Sequence, residues 1–209
     1  YGFPLLIKSI LAEGLRKSPN QEIVYGGRRL TYAEMGARIG RLASALTRIG
    51  VTPGKTVGVM DWDSHRFLEA FFAVPMMGAV LRHINPRLSP EQILYTINHA
   101  EDDVLLVNVD FLPIIAQIWD RVAQGKTIVL LTDGAAPAVS PGLPVAGEYE
   151  ALLAAADATF KFPEIDENAR ATMNRSLFPE IYDVAARKFR LVTSQNVVHF
   201  LAEAHWPAL

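Results

Sequence analysis

Residues 78–102 read GAVLRHINPRLSPEQILYTINHAED. Ala79-Val80-Leu81 is a short apolar strand candidate, and a polar elbow of Arg82, His83, Asn85, Pro86 and Arg87 follows it. Ser89-Pro90-Glu91-Gln92 then opens an amphipathic helix. Ser89 is placed to cap it, Pro90 suits its first turn, and Glu91 lies at the positive end of its dipole. Ile93, Ile97 and Ala100 form the apolar side of that helix, and Val104–Val107 reads as the next buried strand. Strand, elbow, helix and strand make a parallel crossover unit, and the flanking chain repeats its rhythm.

Upstream, an apolar helix ends at Ser18-Pro19-Asn20, and two short strands flank the Gly26-Gly27 pair of a hairpin. Thr31 with Glu34 forms a capping box for a helix over residues 32–49. Thr56–Met60 is a buried strand, followed by a helix from His65 that kinks or ends by Pro75. Downstream the pattern predicts a helix over 110–124, a strand over 127–131, a loop over 133–145 and a short helix over 148–156. The fold class is α/β: a mostly parallel sheet flanked by helices, with a short amino-terminal hairpin and a helical carboxyl-terminal tail.

Composition narrows the functions available. Half of the 209 residues are hydrophobic and the formal net charge is −2, so no basic surface for nucleic acid is expected. Without cysteine there is no disulfide, thiolate nucleophile or cysteine zinc site, which fits a cytoplasmic setting. The longest uncharged apolar run, Ala70–Leu81, falls short of the roughly 20 residues of a membrane span.

Three stretches invite a chemical reading. Gly50–Thr56 imitates a phosphate loop, but it has one residue too few between its glycines and lies between a helix and a strand, in the wrong order, so it reads as a turn. Asp61 and Asp63 stand just past a strand end, where carboxylates could hold Mg²⁺ or move protons. The spacing favours Asp63 or Ser64 as a helix cap instead. The elbow residues Arg82, His83, Asn85 and Arg87 could bind a phosphate or carboxylate, or could hydrogen-bond loop carbonyls and pack the elbow in place. They are the binding candidates of the chain. His199 and His205 fall on different faces of a predicted helix, so no metal site is assigned.

Four segments in order carry a resemblance: Leu30–Met35 (LTYAEM), Phe72–Val80, the opening stretch 78–102, and Asp166–Thr172 (DENARAT). Over roughly residues 3–172 the chain resembles the early part of acyl-CoA synthetases, the fatty-acid–CoA ligases of the AMP-forming adenylating superfamily. The resemblance implies a complete enzyme that uses ATP, Mg²⁺ and coenzyme A to turn a fatty acid or other carboxylate into an acyl-adenylate and then a thioester. In that family the segment matching 166–172 leads into a glycine-rich phosphate loop. Here it leads into Met173-Asn174-Arg175-Ser176, and no glycine occurs after Gly147. The 209 residues also hold no counterpart of the family's adenine-gripping segments or its small carboxyl-terminal domain. The expectation is therefore a catalytically incomplete fragment that binds no cofactor by itself, with no catalytic residue assigned.

Residues 1–172 are expected to form the subdomain that carries the resemblance. Residues 173–209 form a tail with helices over Leu177–Phe189 and after Ser194. The alternative is a non-catalytic interaction module or pseudoenzyme whose uncovered apolar surface drives self-association into a homo-oligomer.

Overall fold

The computed structural model describes residues 6–134, 141–165, 170–172 and 192–193. The elements are α1 (Ile7–Lys17), β1 (Glu22–Tyr25), β2 (Arg28–Thr31), α2 (Tyr32–Arg48), β3 (Thr56–Met60), α3 (His65–Met76), β4 (Val80–His83), α4 (Pro90–Ala100), β5 (Val104–Asn108), α5 (Leu112–Ile118), β6 (Thr127–Leu131), β7 (Val145–Glu148), α6 (Tyr149–Ala154), β8 (Arg170–Thr172) and β9 (Val192–Thr193). Among the described residues β1 and β2 make an antiparallel hairpin, and the other strands form one sheet in the order β7-β6-β5-β3-β4-β8-β9. All neighbours in that sheet are parallel except β8 and β9.

Strict alternation along the strands builds two cores. Val57, Val59, Leu106, Val129 and Leu131 point to one face, beneath α1, α2, α3 and α6. Met60, Leu105, Val107, Ile128 and Leu130 point to the other, beneath α4 and α5. Both faces are covered, so the central strands β3 and β5 are buried at every residue and read as continuous apolar runs. The Thr31–Glu34 capping box forms as the sequence predicts and Ser89 caps α4 as expected, with Gln92 completing a second box that the sequence reading did not include. The Glu34 N–H donates to Thr31 Oγ1 (3.2 Å) while Glu34 Oε2 accepts from the Thr31 N–H (2.7 Å), and Ser89 with Gln92 repeats the arrangement.

Three expectations change. The predicted helix over 110–124 is broken: a 3-10 turn over Val109–Phe111 leads into α5, and a second over Trp119–Arg121 ends it. Pro113 sits in the first turn of α5, where its missing N–H is tolerated, so the α-helix starts there and not at Asp110. The loop expected over 133–145 ends in a strand that the sequence reading did not include, because Val145–Glu148 adds to the β6 edge across a bulge. The polar elbow starts two residues late, since Arg82 and His83 belong to β4. The predicted tail helices, Leu177–Phe189 and the one after Ser194, lie outside the described residues, and Val192–Thr193 between them is a short strand against β8. Among the described residues no helix is long and apolar enough to cross a membrane.

Candidate functional site

In an open parallel sheet, ligands gather where two adjacent strands send their crossovers in opposite directions. Here that point lies between the carboxyl ends of β3 and β5, since β3 leads to β4 on one side and β5 to β6 on the other. Side chains bond to one another across this point. Buried Asp61 accepts from Asn108 Nδ2 (2.8 Å) through one oxygen and from the Ser64 hydroxyl through the other. Trp62 Nε1 donates to Asp110 (2.8 Å), and its ring meets Phe111 at 4.7 Å. Ser64, not Asp63, caps α3 by accepting from the Arg66 N–H (3.1 Å). Asp63 takes a left-handed backbone (φ 53°), which aspartate tolerates better than most residues. No cluster of three or more potential metal ligands occurs among the described residues. The Gly50–Thr56 stretch is a turn, with Gly54 at φ +85° and its N–H donating to Gly78 O (2.8 Å).

The elbow candidates do not converge. Arg82 is buried and grips Asp102, which has no exposure, through Nε (2.8 and 3.1 Å) and Nη2. Burial pushes the Asp102 carboxyl up, and the hydrogen bonds and charge of Arg82 offset that only in part. Lys126 donates to the Asp102 carbonyl (2.6 Å), and desolvation lowers its ammonium. This cluster anchors α4 and β5 beneath β4. His83, next along β4, points to the opposite face, with its ring edge-on to Phe67 at 5.3 Å. Desolvation lowers its imidazole, Arg82 lowers it further, and Asp63 and Asp61 oppose both. Asn85 accepts from the Arg87 N–H (3.0 Å) in a local turn, and Arg87 is exposed.

Another concentration of polar side chains lies under the hairpin. A cavity of about 590 Å³ opens between the Tyr25–Arg28 turn, the first turn of α3, the end of β6 and the start of α6. Behind it Arg38 of α2 bridges Glu69 of α3 (2.6 Å) and Glu150 of α6 (2.7 Å). Burial alone would lower the Arg38 guanidinium, but Glu150 and Glu69 raise it. Burial likewise acts to raise Glu150, yet His65, Arg38 and Arg28 hold it well below the usual carboxylate range. The Tyr149 hydroxyl donates to Glu69 (2.6 Å) and is pushed well above its ordinary value by burial, then by that carboxylate.

Arg66 lies in the cavity wall. Its Nη2 donates to Asp133 (2.6 Å) and to the Thr132 carbonyl, and the bond to Asp133 holds that carboxyl down. Its Nε stands 3.7 Å from Glu150 Oε1, an ion pair too long for a hydrogen bond. Sequence reasoning missed this whole cluster. The available signal was Arg66 and Glu69, two opposite charges one turn apart in an otherwise apolar helix.

The profile of the AMP-binding enzyme family matches residues 11–173. The chain is 36% identical over 177 residues to the 3-methylmercaptopropionyl-CoA ligase of Ruegeria lacuscaerulensis, a match covering 81% of this chain and 32% of that protein. It is 40% identical over 147 residues to the medium-chain-fatty-acid–CoA ligase of Ectopseudomonas oleovorans, covering 69% and 26%. Its fold superposes on the crystal structure of the anthranilate CoA ligase AuaEII in complex with anthranoyl-AMP with a TM-score of 0.73 at 22% identity, over 83% of this chain and 32% of that one. The chain thus spans about a third or less of the length of these relatives.

Proposed function

Starting from a chain that belongs to the AMP-binding enzyme family, we propose that it serves as the amino-terminal subdomain of an ATP-dependent carboxylate–CoA ligase, with a fatty acid or similar carboxylate as the acid. The whole reaction joins the carboxylate to the α-phosphate of ATP with loss of pyrophosphate. The coenzyme A thiol then displaces AMP to give the thioester. The observation that carries this reading is the family match running through the parallel sheet, to the end of β8 at Thr172.

The described residues do not fit a nucleoside triphosphate. Across the switch point Asn108 is bonded to Asp61 and Trp62 to Asp110, so carboxylates stand at these strand ends, and they repel phosphate. After Thr172 no glycine is available for backbone amides to approach a phosphate closely. No step through ATP is assigned to these residues; on this reading they supply a scaffold.

A chimera tests the proposal, with residues 6–172 in place of the matching part of the Ectopseudomonas ligase. It should form medium-chain acyl-CoA, while the 209-residue chain alone should give no carboxylate-dependent ATP–pyrophosphate exchange. A folded but inactive chimera, or robust exchange by the chain purified free of other ligases, overturns the reading. A second reading, a non-catalytic interaction module, is favoured by the exposed apolar side chains of Val24 and Phe71 beside the hairpin. Dimerisation of the 209-residue chain in light scattering supports it, and a compact monomer counts against it.

A further inference from the structure

An apolar groove of about 390 Å³ runs between β1 and the first half of α3. Val24 and Tyr25 form one wall, Phe67, Leu68 and Phe71 the other, and Asp63 stands where α3 begins. Phe67 and Leu68 also pack against the core behind them, whereas Val24 is 57% exposed and Phe71 37%. The open lining is chiefly apolar, so the hollow suits an apolar side chain and not an ion.

The path of the chain brings a candidate occupant close. α3 packs over β8, and β9 lies antiparallel on the outer edge of β8. Val192 pairs with Thr172 and Thr193 with Arg170, so the chain leaves β8 beside the end where β8 starts. α3 follows β3 and precedes β4, both parallel to β8, so its last turn at Met76 reaches the same end of the sheet. From Met76 back to Phe67 is about 14 Å at 1.5 Å per helical residue. Residues 194–209, outside the described residues, follow Thr193 and are long enough to run back over that distance.

The sequence of that segment matches the groove in character. Glu203 is its one Asp, Glu, Lys or Arg residue. Val197, Phe200, Leu201 and Ala204 recur at the i, i+3, i+4, i+7 spacing of one helix face, and Asn196, His199 and Glu203 fall together on another.

We propose that residues 197–204 lie in the β1–α3 groove of the same chain, with Phe200 and Leu201 against Val24, Phe67 and Phe71. The tail then covers the apolar surface beside the hairpin and denies it to a second copy. The proposal stands on the groove and the course of the chain, and is independent of the ligase reading.

The absence of cysteine makes a clean test, because two introduced thiols form the one disulfide available. In the 209-residue chain at micromolar concentration, Val24→Cys with Leu201→Cys should form a disulfide within one chain under mild oxidant. It is read by intact mass and by faster migration in a non-reducing gel. Leu201→Cys with Tyr95→Cys is the control and should not link, since Tyr95 is 56% exposed on α4, across the sheet. A disulfide joining two chains through positions 24 and 201 assigns the groove to a second copy and overturns the proposal. Equal linking at positions 24 and 95 overturns it as well. Amide exchange gives a readout without thiols. Val24→Asp places a charge at an exposed strand position and should speed exchange over residues 197–204 about tenfold, with β3 and β5 unchanged. Residues 197–204 unprotected in the unaltered chain, or protected equally in Val24→Asp, would sink the assignment.

Discussion

Removing Arg38 would leave Glu69 fully buried and charged, with Tyr149 as its remaining hydrogen-bond partner. Breaking one half of a buried pair costs about 3–5 kcal/mol, so Arg38→Met should lower the unfolding free energy by that order in urea titration. Glu150 gives the pH dependence. Its folded carboxyl is held below the ordinary 4.5, so its contribution to stability is complete above that value and shrinks as pH falls through it toward the lower folded value. Glu150→Gln should therefore flatten the decline in urea midpoint below about pH 5. None of this was legible in the sequence. Arg38 meets Glu69 31 residues away and Glu150 112 away, and such distances leave no local pattern. Arg82 shows the same limit: a charge that marks a surface elbow in one dimension is buried in a strand once Asp102, 20 residues on, receives it.

Elements were legible where one local rule decided them. Caps fixed the starts of α2 and α4, and runs of β-branched and leucine residues fixed β3, β5 and β6. β7 was not legible, because Val145-Ala146-Gly147-Glu148 has weak strand character and becomes a strand through pairing with β6. Gly58 in β3 is a test at this scale. A methyl group there would lie 2.9 Å from Leu105 Cδ2 and 3.0 Å from both Asp102 Oδ2 and Ile84 Cδ1. Gly58→Ala should therefore cost about 1–3 kcal/mol despite its better strand propensity, measured by urea titration.

Across the whole molecule the hairpin is held chiefly by side chains, through Tyr25 to Asp133 (3.3 Å) and Arg28 to Glu150 (3.2 Å). The double variant Tyr25→Phe, Arg28→Ala should speed amide exchange over residues 22–31 about tenfold, a loss of about 1.4 kcal/mol of local stability. Exchange in β3 and β5 should stay unchanged. The order of the sheet has a further effect on biogenesis. β8 lies beside β4, yet the ribosome must translate everything from His83 to Arg170 before it can dock. At about 5–20 residues per second, one side of β4 waits for several seconds with its amides and carbonyls bare. A nascent chain stalled before Arg170 should accordingly be held by cellular chaperones, and one stalled well beyond Thr172 released.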